Sequence, residues 1–187
     1  RLITQDNGPG IPREDIENVF GKFLLGSRFH AIRQTRGQQG IGITGVVMYS
    51  QLTAGSKTKV VSKIAKDSSA VFVELGIDTR RNRAIKSGET RDIWLDEKTK
   101  ENISHGLRVE CEMRAKYQRG RQSVHQYLRM TSIVNPHASI SLVVRDRDGS
   151  IIEEGAWQRT TERLPREVSE IRPHPHGIQL GSLQRML

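Results

Sequence analysis

Two short glycine-rich stretches hold the residues best suited to chemistry. Gly37-Gln38-Gln39-Gly40-Ile41-Gly42 spaces its glycines as G-x-x-G-x-G, directly before a mostly apolar segment of helical periodicity. A helix N-terminus leaves backbone N–H groups unpaired and presents the positive end of the helix dipole, which suits an anion such as a nucleotide phosphate. The order differs from the dinucleotide-binding fingerprint, G-x-G-x-x-G after a strand. Taken alone, a helix start packed tightly on a strand accounts for it more economically. The second stretch is Asp6-Asn7-Gly8-Pro9-Gly10. A carboxylate held in a strand-end turn, with Gly8 and Gly10 allowing close approach, can accept a hydrogen bond from the exocyclic amine of adenine. The plainer alternative for Asp6 is a side chain that caps its own turn. Gly55-Ser56-Lys57-Thr58 lacks the residue order of a P-loop and precedes a strand rather than a helix.

Other constellations point less far. His174 and His176 flank Pro175 with no carboxylate or cysteine beside them, too few ligands for a metal. His30, His105 and His125 have no nucleophile adjacent in sequence, so a hydrolytic triad has little support. Cys111, the only cysteine, can form neither an internal disulfide nor a zinc knuckle and fits a reducing compartment. Two basic clusters, Arg80, Arg81 and Arg83, and Arg114, Lys116, Arg119 and Arg121, can meet phosphates or simply face solvent. Tyr49, Tyr117 and Tyr127 are assigned to packing.

The linked set is more specific than its members. Asp6-Asn7-Gly8-Pro9-Gly10, Phe20-Gly21-Lys22-Phe23, Gly26-Ser27-Arg28-Phe29 and Arg36 through Gly42 together resemble the ATP site of the GHKL superfamily, which includes gyrase, Hsp90, histidine kinases and MutL. Within it, Gln34 through Gly42, Ile133-Val134-Asn135-Pro136-His137-Ala138 and Pro173-His174-Pro175-His176-Gly177-Ile178 are similar to the B-subunit family of archaeal type IIB DNA topoisomerases, topoisomerase VI. The resemblance implies ATP and Mg2+ as cofactors. Asp6 would bind the adenine amine, Gly8 and Gly10 would shape the base pocket, Ser27 and Arg28 would border the nucleotide, and Arg36, Gly37, Gln38, Gln39, Gly40, Ile41, Gly42 and Ile43 would wrap the phosphates. It also implies a topoisomerase VI A subunit, a second B subunit and double-stranded DNA as partners, no membrane, and a cytoplasmic, nucleoid-associated location. The family's catalytic glutamate and magnesium-binding asparagine would precede Arg1, and its transducer lysine would follow Leu187. The expectation is therefore a fragment with no catalytic or metal-binding residue of its own, unable to turn over ATP alone. One departure stands out: Gly106-Leu107 replaces a frequent Gly-Thr. A histidine-kinase catalytic domain and a non-catalytic scaffold subunit are the alternatives.

These residues need a scaffold, and hydrophobic periodicity supplies one. Leu2–Thr4 reads as a strand end. Pro12, with Glu14 and Asp15 behind it, opens a helix to about residue 24 whose apolar positions are Ile16, Val19, Phe20, Phe23 and Leu24. Residues 26–39 are polar and aperiodic, long for a connection, and read as a lid. A helix from Gly40 to about Gly55 follows, then strands at 57–64, 70–78 and 107–115, separated by a polar surface excursion over 80–105. A helix at 120–133 and a hairpin of 138–145 with 150–157 around Asp146-Arg147-Asp148-Gly149 complete the pattern. This order is α+β with a mostly antiparallel sheet; by resemblance, it is a GHKL (Bergerat) sandwich with helices on one face. Residues 1–170 would form that domain, and 171–187 a linker opening a helix-two-turn-helix domain.

Composition agrees with this class. The 187 residues carry 30 Lys+Arg, 21 of the 30 being Arg, against 21 Asp+Glu, a net charge of +9 that favours an anionic partner. Apolar residues at 35% and 17 glycines are close to ordinary globular usage, which excludes wholesale disorder and collagen-like chains. Charged or polar residues interrupt every apolar run well short of the about 20 needed for a membrane span.

Overall fold

The computed structural model describes residues 1–24 and 40–166, together with Ser169 and Gln184. The contacts divide the chain into two compact units, one containing Arg1–Arg114 and the other Ala115–Val168.

In the first unit, β1 (Leu2–Asp6), β2 (Thr58–Lys63), β3 (Ala70–Asp78), β4 (Arg83–Asp92) and β5 (Gly106–Cys111) form one sheet in the order β1-β5-β2-β3-β4. Every neighbouring pair is antiparallel. On the three central strands, β5, β2 and β3, side chains point alternately to the two faces: Val60, Val73 and Val109 face a core completed by Leu75, Ile77 and, from the helices, Ile16, Phe20 and Val47. Helix α1 (Arg13–Gly21) follows Pro12 and carries Glu14 and Asp15 in its first turn, where the helix dipole favours them. Helix α2 (Gly42–Ala54) ends at Gly55, which takes φ +66° and donates its N–H to the Gln51 carbonyl. Hydroxyls and amides weld these elements together. The buried Thr44 Oγ1 donates to the Lys22 carbonyl at 3.1 Å, and Gln51 accepts from the Ile77 N–H at 2.9 Å while donating to its carbonyl at 3.1 Å.

The α+β class and antiparallel sheet match the sequence reading, an arrangement compatible with a GHKL-type fold; three boundaries and one element differ. Helix α1 stops at Gly21, not near residue 24. A Cβ at Gly21 would come within 2.4 Å of the Ala84 Cβ, and Asn82 draws the chain off the helical path by accepting from the Phe23 N–H at 2.8 Å and donating to its carbonyl at 3.2 Å. Strand β5 ends at Cys111 because α2 takes over the backbone groups beyond it: Ser50 Oγ donates to the Glu112 carbonyl at 2.6 Å, and the Arg114 N–H donates to Thr53 Oγ1 at 3.2 Å. The excursion at 80–105 contains an entire strand, β4. Its polar residues suit a sheet edge that backbone pairing to β3, from Asp78↔Arg83 to Ala70↔Asp92, holds without an apolar stripe.

The second unit packs helix α3 (Val124–Val134) with the hairpin of β6 (Ile140–Arg145) and β7 (Ile151–Trp157). Helix α3 starts later than 120 because Gly120 takes φ +110° and Ser123 caps the helix, its Oγ accepting from the Gln126 N–H at 3.1 Å. Tyr117 donates its hydroxyl to Glu153, and the His125 and Trp157 rings meet edge to face at 5.1 Å. Among the described residues, no helix is long and apolar enough to cross a membrane.

Candidate functional site

Asp6 closes β1 at a fixed register: Asp6 pairs with Leu107 on β5, and Leu107 pairs with Ser62 on β2. Directly opposed residues project to the same side of a sheet. The three side chains therefore form a row across it, running from the exposed Asp6 to the fully buried Ser62. The Asp6 Oδ1 accepts from the Gly8 N–H at 2.9 Å, so the carboxylate shapes the turn that carries it.

The turn is wedged against two strand ends. Gly10 has φ +74°, and a Cβ there would lie 2.2 Å from the Lys63 carbonyl oxygen, so no other residue fits without displacing the turn. From the other side Gly106, φ +145°, would bring a Cβ to 2.2 Å from the Asp6 carbonyl. Three further contacts fix the turn's course: Ser62 Oγ accepts from the Ile11 N–H at 2.7 Å and donates to the Ile11 carbonyl at 2.8 Å, and His105 Nδ1 donates to the Gly8 carbonyl at 2.8 Å. Sequence reasoning misses Ser62 altogether and weighs His105 only as a member of a hydrolytic triad, which it finds little support for. For His105 the one sequence signal is the His105-Gly106 pair ahead of an alternating strand; Ser62 has none.

The other half of the predicted site is the start of α2. Gly40 has φ +60° and its carbonyl accepts from the Leu24 N–H at 3.2 Å. Ile41 precedes the first turn, which holds no acidic residue, and among the described residues no side chain caps it. A Cβ at Gly42 would meet nothing within 4 Å among the described residues, so the backbone there is open to approach. Ile43 instead turns inward and packs against the core. Ser27, Arg28, Arg36, Gly37, Gln38 and Gln39, with the expected lid at 26–39, lie outside the described residues. Among the described residues, no hydrogen bond or ion pair joins the Asp6 turn to Gly40–Ile43.

The charged groups near β1 and β4 are largely paired with one another. Arg13 and Lys86 hold the Glu89 carboxyl below its ordinary pKa by hydrogen bonding to it. Arg1 does the same for Glu110. Burial raises the Cys111 thiol. A shallow depression of about 350 Å³ opens on the sheet, lined by Val61, Phe72, Glu74, Thr90, Arg108 and Glu110 among others. None of the predicted site residues lines it. Among the described residues, no group of three or more His, Cys, Asp or Glu is placed to hold a metal ion.

No protein-family model matches the chain. Over all 187 of its residues it is 50% identical to the B subunit of type 2 DNA topoisomerase 6 from Methanococcoides burtonii and 49% identical to that from Methanosarcina mazei. It is 46% identical to the Archaeoglobus fulgidus protein of the same name, again across the whole chain. The chain spans 28% of the length of the first two relatives and 29% of the third.

Proposed function

We propose that this relative of the type 2 DNA topoisomerase 6 B subunits is the ATP-binding portion of such a subunit, within a type IIB DNA topoisomerase. The observation that carries the reading is the Asp6 turn, built into the end of the sheet in a chain similar from end to end to those subunits. Asp6 would receive the adenine amine. Gly8 and Gly10 would let the base approach, and Gly40 to Ile43 would present backbone N–H groups and the α2 dipole to the phosphates. Residues 27, 28 and 36–39 join this set by resemblance alone.

The residues present fit a nucleotide. One Asp6 oxygen serves the turn, and its side chain lies exposed at the sheet edge. Among the described residues no side chain caps the α2 N-terminus and Gly42 is open, which suits an anion. Mg2+ would arrive with the phosphates and supply charge neutralisation there.

The function follows from linkage. If ATP binds a closed pair of B subunits more tightly than an open one, binding shifts the population toward closure and hydrolysis releases it. Closure would gate the passage of one DNA duplex through a break made in another by the A subunit, relaxing or decatenating DNA in a cytoplasmic, nucleoid-associated setting. A second reading, a scaffold subunit without turnover, is favoured by one observation: the residue opposite Asp6 is the apolar Leu107.

The reading is tested by combining the full-length subunit with its A subunit and following relaxation of supercoiled plasmid. Relaxation should require ATP and be lost in Asp6→Asn. Relaxation that is independent of ATP, or indifferent to Asp6→Asn, would refute it.

A further inference from the structure

We infer that Ser62 and His105 are positioning residues that set the shape of the Asp6–Ile11 turn and thereby the base selectivity of the nucleotide site, an inference that rests on the nucleotide reading above.

The turn has few ways to hold itself. Pro9 has no N–H to offer, and Gly8 and Gly10 contribute no side chains. Its attachment to the sheet falls to Gly8 and Ile11, and both are held from distant elements. His105, just before β5, donates from Nδ1 to the Gly8 carbonyl at 2.8 Å. Ser62, 1% exposed on β2, uses one hydroxyl to satisfy both the N–H and the carbonyl of Ile11. Between these two points Gly10 touches the Lys63 carbonyl with no room for a Cβ. The Gly8 N–H in turn holds Asp6 Oδ1, so the aim of the carboxylate depends on where Gly8 is kept.

Aim matters more for selectivity than for grip. Adenine offers an amine at the position where guanine carries a carbonyl oxygen. A well-aimed carboxylate rewards the first and repels the second, whereas a loosely held one does neither. Phosphate contacts at the start of α2 do not involve this turn. Loss of Ser62 or His105 should therefore weaken ATP without weakening a bare triphosphate.

The test measures, on the full-length subunit with Mg2+, affinities for non-hydrolysable ATP and GTP analogues and for inorganic tripolyphosphate, with melting temperatures alongside. Ser62→Ala and His105→Ala should each lower ATP-analogue affinity several-fold and the ATP/GTP ratio by more, about ten-fold, while leaving tripolyphosphate unchanged. Ser62→Thr keeps the hydroxyl, and His105→Asn places a donor where Nδ1 sits; both should recover most of the ratio. An unchanged ratio in both alanine variants overturns the inference. So does an equal loss of ATP analogue and tripolyphosphate that the conservative variants fail to repair, which would mark a purely structural role. Wild-type ATP-analogue affinity in Asp6→Asn identifies the other failure, that of the nucleotide reading itself, and removes the inference with it.

Discussion

Gly10→Ala puts the packing of the Asp6 turn to a quantitative test. The new side chain must adopt φ +74°, and a left-handed backbone costs an L-residue about 1–2 kcal/mol. Its Cβ would stand 2.2 Å from the Lys63 carbonyl oxygen, so the turn must retreat by about 1 Å to reach ordinary van der Waals contact. The hydrogen bonds between Ile11 and Ser62, 2.7 and 2.8 Å long, do not survive such a shift. At about 1 kcal/mol for each, their loss brings the total to about 3–4 kcal/mol. For a chain of this size each kcal/mol moves the melting temperature by about 2–4 °C, so Gly10→Ala should melt roughly 10 °C below wild type. Gly42→Ala is the control. Its Cβ meets nothing within 4 Å among the described residues, and alanine favours a helix by up to about 1 kcal/mol over glycine, so this variant should melt at or above wild type. Thermal unfolding followed by circular dichroism reads both. If Gly10→Ala melts within about 2 °C of wild type, less than the loss of even one of these contributions, the close approach is not what requires glycine there.

Three further outcomes follow from the same structure. The Thr58 Oγ1 is buried and, among the described residues, has no hydrogen-bond partner, so Thr58→Val should stabilise by about 1 kcal/mol and raise the melting temperature by about 2–4 °C. Glu89 has a folded pKa below its unfolded one, so the stability its ion pairs contribute is present above the ordinary carboxylate range and lost as pH falls through the lowered folded value. Melting temperatures between pH 7 and about pH 3 should show this fall, shallower in Glu89→Gln; identical slopes would contradict it. Cys111 is buried with its thiol pKa raised by burial, so thiol reagents should label it at the rate of unfolding rather than at the rate of a free thiol.

Periodicity was a sound guide wherever one face of an element is buried. Leu107, Val109 and Cys111 alternate with Arg108 and Glu110, and α2 shows its apolar run and Gly55 stop plainly. It failed on β4, where Arg83–Asp92 carries almost no apolar residue because the strand is held by its backbone at a sheet edge. It also overran α1 and β5, whose ends are set by partners far away in sequence: Asn82 on Phe23, and Ser50 and Thr53 on the chain after Cys111. The candidate site divides in the same way. Asp6 and the glycines around it announce themselves as a turn, since their residue types encode backbone shape. Ser62 and His105, which hold that turn, are 51 and 97 residues away from what they hold, and no local pattern ties either of them to it. In the sequence Gly10 reads as room for a ligand; the reason the structure gives for glycine there is room for β2.

Whether Asp6 holds the adenine of a bound nucleotide is decided by calorimetric titration of the full-length subunit with a non-hydrolysable ATP analogue and Mg2+, wild type against Asp6→Asn. Binding should be saturable in the wild type and at least about ten-fold weaker in Asp6→Asn, the loss expected for a hydrogen bond to a charged group, with the melting temperature little changed. Equal affinity in the two proteins, or no binding in the wild type, would contradict that role of Asp6.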